Sequence, residues 1–230
     1  MNNHIHSTAI VAPDVVLGDN NQIGPYCVIG GMGSPVQIGS NNYFGAFVLI
    51  GSPAQSVTHY SNSTMLNFEK WASDNRDKTS GVRIGDGNVF RDRVSVDAGI
   101  SKTTVINDGC YLHSLSQINH DCRLGESVVF APGVISSGNC IFMRSSQVGA
   151  NAVIHQGIQV GSYSMIGMNS TVTKNVPDFA LCFGSPSIVR GVNRIGLLRL
   201  GISAKDIEST EKYLMGGDAG LPASVRDLLQ

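Results

Sequence analysis

The segment Asn119-His120-Asp121 places a histidine directly beside a carboxylate. A histidine titrates near neutral pH, and an adjacent carboxylate suits it to act as a general base. Gly138 and Gln156 stand 18 and 36 residues after His120, which is three and six units of six residues (hexads). If the fold repeats every three hexads, these residues share one wall, and the Gly138 N–H could face a developing oxyanion. The chemistry would be proton abstraction from a nucleophile with stabilisation of the resulting oxyanion.

A six-residue repeat provides the periodicity that this arrangement needs. Aliphatic-Gly pairs begin at Leu17, Ile23 and Ile29, and from Ile106 to Val172 every sixth residue is apolar except Ser136. Hexads with one bulky inward residue, and a small residue four places later, are typical of a solenoid with three hexads per turn. Successive turns would then stack about 4.8 Å apart. The sequence therefore predicts an all-β solenoid of hexapeptide repeats.

The cysteines follow the same repeat. Four of the five lie four places after an inward position, in the slot for small core residues: Cys27, Cys110, Cys122 and Cys140. Cys182 is assigned to a position outside the repeat. Because free cysteine is among the most buried residue types, we expect core residues and no disulfide framework.

Composition excludes several classes of protein. The chain has 16 Lys+Arg and 17 Asp+Glu, so it lacks the basic excess that nucleic-acid binding requires. Only 14% of residues are charged and 27 of 230 are glycine, which argues against a helical bundle or a doubly wound α/β domain. The N-terminus shows no signal peptide, and no apolar run long enough to span a bilayer follows. We expect a soluble, cytoplasmic protein with no integral membrane segment.

The organisation follows from breaks in the repeat. Three extra residues stand between Ile29 and Ile38, and four between Val96 and Ile106. A polar stretch at about 51–83 is either a functional loop or a tolerated insertion. We predict a β-helix domain over residues 1–190 with this inserted loop, followed by a short helical C-terminal cap over residues 191–230.

The predicted cap begins where the hexads end. They stop at residues 175–177, and residues 184–186 are interpreted as the exit from the solenoid. Residues 193–200 have helical spacing, and Ser203 followed by Asp206 predicts a helix that runs toward Met215. A last short helix is expected from Ala223 to Leu229. We expect this tail to cover the open end of the solenoid.

Two other interpretations of the histidines remain open. Residues 119–121 could form a polar turn on a solvated face. A metal site of His113, His120 and His155 is conceivable, but His113 and His120 lie on different hexads without a coordinating cluster. We therefore predict neither a metal nor a cofactor.

The sequence resembles a known family over nearly the whole chain. The most specific segments are residues 117–122 (QINHDC), residues 155–156 (HQ) and residues 191–201 (GVNRIGLLRLG). They resemble the UDP-N-acetylglucosamine O-acyltransferase family of lipid A synthesis. This resemblance implies a left-handed parallel β-helix with a short C-terminal helical tail, and a homotrimer with active sites between neighbours. It also implies a thioester of acyl carrier protein (or CoA) as the donor and a UDP-sugar as the acceptor.

The resemblance assigns roles to individual residues. It implies His120 as general base, Asp121 as its orienting carboxylate and Gly138 as the oxyanion donor. The residues that it places around the substrates are Gln55 in the sugar loop, Gln117 on the sugar side, His155 and Gln156 near the sugar nucleotide and acyl chain, Met168 at the floor of the acyl groove, and Asn193 and Arg199 at the nucleotide or phosphate. Asn139 is a further substrate-binding candidate because it stands three hexads after Asp121, in the same column.

This chain departs from the family on the sugar side of the site. Gln117 replaces a second histidine, and Ser56 and Thr58 replace an acidic residue and a lysine. These departures suggest a modified UDP-sugar, with the acceptor group either a hydroxyl or an amine. Alternatives are an acetyl-CoA-dependent sugar-nucleotide acetyltransferase and a non-catalytic hexapeptide-repeat scaffold. The intact His120-Asp121 pair argues against the scaffold.

Overall fold

The computed structural model describes residues 2–31, 33–55, 80–217 and 220–230. Over these residues the strands form three sheets of ten, eight and seven strands, one sheet on each side of a triangular coil. Every strand pair in the solenoid is parallel, and only the last pair is antiparallel. The predicted parallel β-helix of hexapeptide repeats is therefore confirmed.

Strands are numbered in chain order, and each sheet receives every third strand of the solenoid. Sheet 1 contains β1 (His4–Ile5), β4 (Gln22–Ile23), β7 (Tyr43–Phe44), β10 (Val89–Phe90), β13 (Tyr111–Leu112), β16 (Val129–Phe130), β19 (Gln147–Val148), β22 (Met165–Ile166), β24 (Ala180–Gly184) and β25 (Ser187–Val192). Sheet 2 contains β2 (Ile10–Val11), β5 (Val28–Ile29), β8 (Leu49–Ser52), β11 (Ser95–Asp97), β14 (Gln117–Ile118), β17 (Ile135–Ser136), β20 (Val153–Ile154) and β23 (Thr171–Val172). Sheet 3 contains β3 (Val16–Leu17), β6 (Val36–Ile38), β9 (Val82–Ile84), β12 (Thr104–Ile106), β15 (Arg123–Leu124), β18 (Ile141–Phe142) and β21 (Gln159–Val160).

The second residue of most strands points into the coil. Ile118 is fully buried and pairs with Val96 on one side and Ser136 on the other. Phe44 and Phe90 stack inside the coil with ring centroids 4.8 Å apart. Each such aliphatic or aromatic side chain contributes about 1.5–3 kcal/mol when fully buried. The four cysteines of the repeat are buried in the predicted slots.

The breaks in the repeat become corner loops. Ile84 pairs with Ile106, so the turn between β9 and β12 is four residues longer than three hexads. The extra residues form a loop between β11 and β12, which Gly99 ties to Gly81 through a backbone hydrogen bond of 2.9 Å. Most of the insertion predicted at 51–83 falls on residues 56–79, outside the described residues.

The repeat extends further than the sequence predicts. β24 pairs in parallel with β22, and Cys182 lies opposite Ile166 with 2% exposure, so Cys182 belongs to the core. Its assignment outside the repeat was wrong because this turn is two residues shorter than three hexads. Residues 184–186 do not lead directly into helix, because β25 pairs antiparallel with β24.

Helices begin after this hairpin. They are α1 (Arg194–Arg199), α2 (Ala204–Leu214) and α3 (Ala223–Arg226), followed by a 3₁₀ turn at Asp227–Leu229. As predicted, Ser203 caps α2, since its hydroxyl accepts a hydrogen bond of 3.1 Å from the Asp206 N–H. Leu197, Ile207 and Val225 join Phe179 of the last turn in a second apolar cluster. The division at residue 190 stays a prediction.

Candidate active site

His120 and Asp121 form a close pair at the corner between sheets 2 and 3. His120 Nδ1 lies 2.7 Å from Asp121 Oδ2, and the two side chains are 15% and 3% exposed. Because Asp121 is an acceptor, Nδ1 carries the proton of a neutral imidazole and Nε2 is left as the free acceptor. This is the tautomer that a general base requires.

The loop between β11 and β12 fixes Asp121. Its Oδ1 accepts hydrogen bonds from three consecutive backbone N–H groups, those of Ile100, Ser101 and Lys102, at 3.0, 2.9 and 2.6 Å. Burial acts to raise the pKa of Asp121, but the hydrogen bonds from His120, Lys102 and Ser101 outweigh it and lower that pKa. The four extra residues of this turn thus hold the carboxylate ionised beside His120.

Gly138 lies directly against the His120 ring. A Cβ built on Gly138 would stand 2.6 Å from both Cε1 and Nε2 of His120, which is closer than van der Waals contact. The His120 carbonyl accepts a hydrogen bond from the Asn139 N–H, and the Gly138 carbonyl accepts one from the Gly157 N–H. The predicted stacking of His120 on Gly138 is confirmed, and any larger residue would displace the ring.

Most of the predicted substrate residues lie along the same corner of the coil as His120. Gln117 lies on β14, three residues before His120, and its side-chain Nε2 donates a hydrogen bond of 2.8 Å to Asn119 Oδ1. Asn139, in the next turn, has φ 61°, a left-handed conformation that asparagine tolerates well. His155 and Gln156, one turn further on, are exposed, as is Gln55 after β8. Their side chains are therefore free to meet a ligand.

Three predicted substrate residues lie elsewhere on this chain. Met168, 71% exposed, is at the corner between sheets 1 and 2. Asn193 and Arg199 line a pocket of about 250 Å³ with Tyr163, near the third corner. Asn193 is also structural, because it caps α1 and donates to the Tyr163 carbonyl. Within one chain, these residues are not brought together with His120.

Asp97 belongs to the candidate site and was missed by sequence reasoning. It ends β11 at the same corner, is 2% exposed, and has one carboxylate oxygen with no hydrogen-bond partner among the described residues. Burial raises its pKa to about 7, while the nearby His120 and the backbone N–H of Gln55 act to lower it. The available signal was its position three hexads before Asn119, once the four extra residues between them are discounted.

Metal-ligand clusters and membrane-spanning helices are both missing from the described residues. Over these residues, no group of three or more His, Cys, Asp or Glu side chains is arranged to hold a metal ion. The helices of the described chain include none with the length and apolar character needed to cross a bilayer.

Comparisons with known proteins agree with this architecture. A family model described as bacterial transferase hexapeptide (six repeats) matches residues 1–31. Stacked hexads, here with a histidine–carboxylate pair at one corner, are the architecture of a hexapeptide-repeat transferase.

Relatives that match most of the chain identify the family within this class of transferases. The acyl-[acyl-carrier-protein]–UDP-N-acetylglucosamine O-acyltransferase of Thiobacillus denitrificans is 34% identical over 214 residues, covering 90% of this chain and 81% of the relative. The LpxA structure from Acinetobacter baumannii superposes with a TM-score of 0.76 at 30% identity, covering 98% and 89% of the two chains. The UDP-N-acetylglucosamine acyltransferase of Bacteroides fragilis, at 20% identity, shares the fold with a TM-score of 0.77 over 98% and 95%. This chain belongs to the acyl-[acyl-carrier-protein]–UDP-N-acetylglucosamine O-acyltransferase family and is an acyltransferase.

Proposed function

We propose that the enzyme transfers an acyl chain from an acyl carrier protein thioester to a hydroxyl or amine of a UDP-N-acetylglucosamine-type sugar, as a step of lipid A synthesis. Its family membership supports this donor and this acceptor. The observation that carries the proposal is the contact set of His120, hydrogen-bonded to Asp121 on one side and lying against Gly138 on the other.

The reaction follows from these contacts. His120 Nε2 takes the proton from the acceptor group as its oxygen or nitrogen attacks the thioester carbonyl carbon. The carbonyl oxygen becomes an oxyanion, which we propose the Gly138 N–H stabilises. When the tetrahedral intermediate collapses, the C–S bond breaks and the thiolate takes the proton from His120. Asp121 orients the ring and stabilises the imidazolium formed in between.

Gln55, Gln117, Asn139, His155 and Gln156 are proposed to hold the sugar nucleotide and the first part of the acyl chain. Their positions along one corner, between the turn of β8 and the turn of β20, support this role, because a ligand that lies along a solenoid contacts residues of neighbouring turns.

The remaining proposed contacts require more than one copy of the chain. Met168, Asn193 and Arg199 lie near corners away from His120. A closed ring of identical chains brings different corners of neighbouring copies together. We therefore propose a homotrimer in which Met168, Asn193 and Arg199 of one copy complete the site of another. Light scattering should give about three times 24.4 kDa, and a monomer at micromolar concentration would contradict this assembly.

The proposed reaction is tested by mass spectrometry of purified protein with UDP-sugars and with carrier-protein or CoA thioesters. Acylated UDP-sugar should form with the wild type and not with His120→Ala. His6→Ala is the matched control, because His6 is exposed in the first turn. Product with acetyl-CoA alone would favour the acetyltransferase alternative. No product from any pair would contradict catalysis at this site.

A further inference from the structure

Asp97 is placed where its carboxyl group can meet an acceptor. Val96 pairs with Ile118, so Asp97 begins the corner one turn before Asn119 and His120. On its other side the register shifts, and Asp97 pairs with Ser52 just before the Gln55 segment. The carboxyl group therefore lies between the turn that leads from Ser52 to Gln55 and the turn that contains His120.

Among the described residues, the carboxyl group of Asp97 forms no ion pair. Its Oδ2 is buried and bonds to none of the described residues. His120 does not satisfy it, because His120 Nδ1 is already paired with Asp121. The strands on either side, β8 and β14, contain no titratable residue; the ionisable residues described in the turn of Asp97 and the next turn at this corner are Lys102, which is exposed, His120 and Asp121, and His155 lies further along. A buried carboxylate without a partner is costly, and a cation would offset that cost.

A hydroxyl acceptor and an ammonium acceptor also differ in the number of protons that they lose during acyl transfer. A hydroxyl loses one proton when it becomes an ester, and His120 can take it. An ammonium group loses two protons when it becomes an amide. A site for an amine therefore benefits from a second proton acceptor, and the pKa of Asp97, raised by burial to about 7, suits that role near neutral pH.

We propose that Asp97 binds the ammonium group of an amino-sugar nucleotide and takes its first proton, so that the preferred acceptor is an amine. This inference rests on the proposed acyltransfer. The neutral amine then attacks the thioester carbon, a C–N bond forms and the C–S bond breaks. His120 takes the second proton and passes it to the thiolate, and Asp97 returns its proton to water after product release.

The test compares UDP-N-acetylglucosamine with the analogue in which the acylated hydroxyl is replaced by an amino group. We expect the wild type to have the higher kcat/KM on the amino acceptor. Asp97→Asn should lower that value by roughly tenfold or more, the loss of a charge-assisted contact, and the loss should be larger on the amino acceptor than on the hydroxyl acceptor. It should also weaken binding of the amino acceptor in calorimetry. Asp86→Asn, an exposed carboxylate at another corner, is the matched control.

The outcomes separate the two proposals. A wild-type preference for the hydroxyl, or an unchanged rate of Asp97→Asn on the amine, would overturn the role of Asp97 while acyltransfer stands. Failure of the wild type on both acceptors would overturn acyltransfer and the role of Asp97 with it. Melting curves confirm that the variants are folded, and wild-type acceptor preference needs no variant at all.

Discussion

Asp97→Asn should change how stability depends on pH. In the folded protein burial raises the pKa of Asp97 from 3.8 to about 7. Between these values the folded chain retains a proton that the unfolded chain has released, so wild-type stability falls as pH rises through this window. Asparagine has no such titration, and the variant should escape this loss.

The magnitude follows from the two pKa values. They differ by about three, and each pKa unit is worth about 1.36 kcal/mol, which gives about 4 kcal/mol across the window. The free energy of unfolding of Asp97→Asn minus that of the wild type should therefore increase by about this amount from pH 4 to pH 8. Any constant cost of burying the amide does not alter the trend.

Urea denaturation of both proteins at a series of pH values measures this difference directly, at one protein concentration because assembly affects stability. Asp86→Asn serves as the control for an exposed carboxylate. A difference between Asp97→Asn and the wild type that stays constant from pH 4 to pH 8 would refute the reasoning. It would show that Asp97 is solvated or paired in the protein in solution.

The other variants test the reaction itself. His120→Ala should lower kcat by roughly 10²-fold to 10⁴-fold with the melting temperature retained, and a near-normal kcat would contradict its role as base. Asp121→Asn should lower kcat less than His120→Ala, since it disturbs the orientation of the base and does not remove it. Gly138→Ala should lower kcat because its Cβ would overlap the His120 ring, and full activity would argue against the observed contact. Met168→Gly should shift preference toward longer donors, by about 1.6 kcal/mol for two methylenes, in a chain-length series. An unchanged length preference would remove Met168 from the acyl groove.

The loop between β11 and β12 shows how an irregularity in a repeat can fix the position of a carboxylate, here Asp121 beside His120. The extra residues of this turn direct three consecutive backbone N–H groups at Asp121. Charge-assisted bonds of this kind are stronger than neutral ones. The orientation of His120 therefore depends on residues that belong to no strand.

The sequence alone was sufficient to predict the solenoid and the stack of His120 on Gly138. In a repeat protein each turn contacts mainly its neighbours, so a spacing of three hexads translates directly into contact. The cap of α2 was predictable for a similar reason, because Ser203 and Asp206 act within one helical turn. These features depend on local periodicity and short-range hydrogen bonds.

Only the tertiary structure decided the features that depend on distant segments or irregular turns. Cys182 continues the core because strand pairing tolerates a turn that is two residues short, which a fixed period does not detect. Asp97 is buried because the register shift against Ser52 and the Gln55 segment enclose it. Met168 lies at a different corner from His120 because their hexads belong to different sheets. Spacing along the chain determines which residues stack, whereas solvent exclusion is set by everything that packs around them.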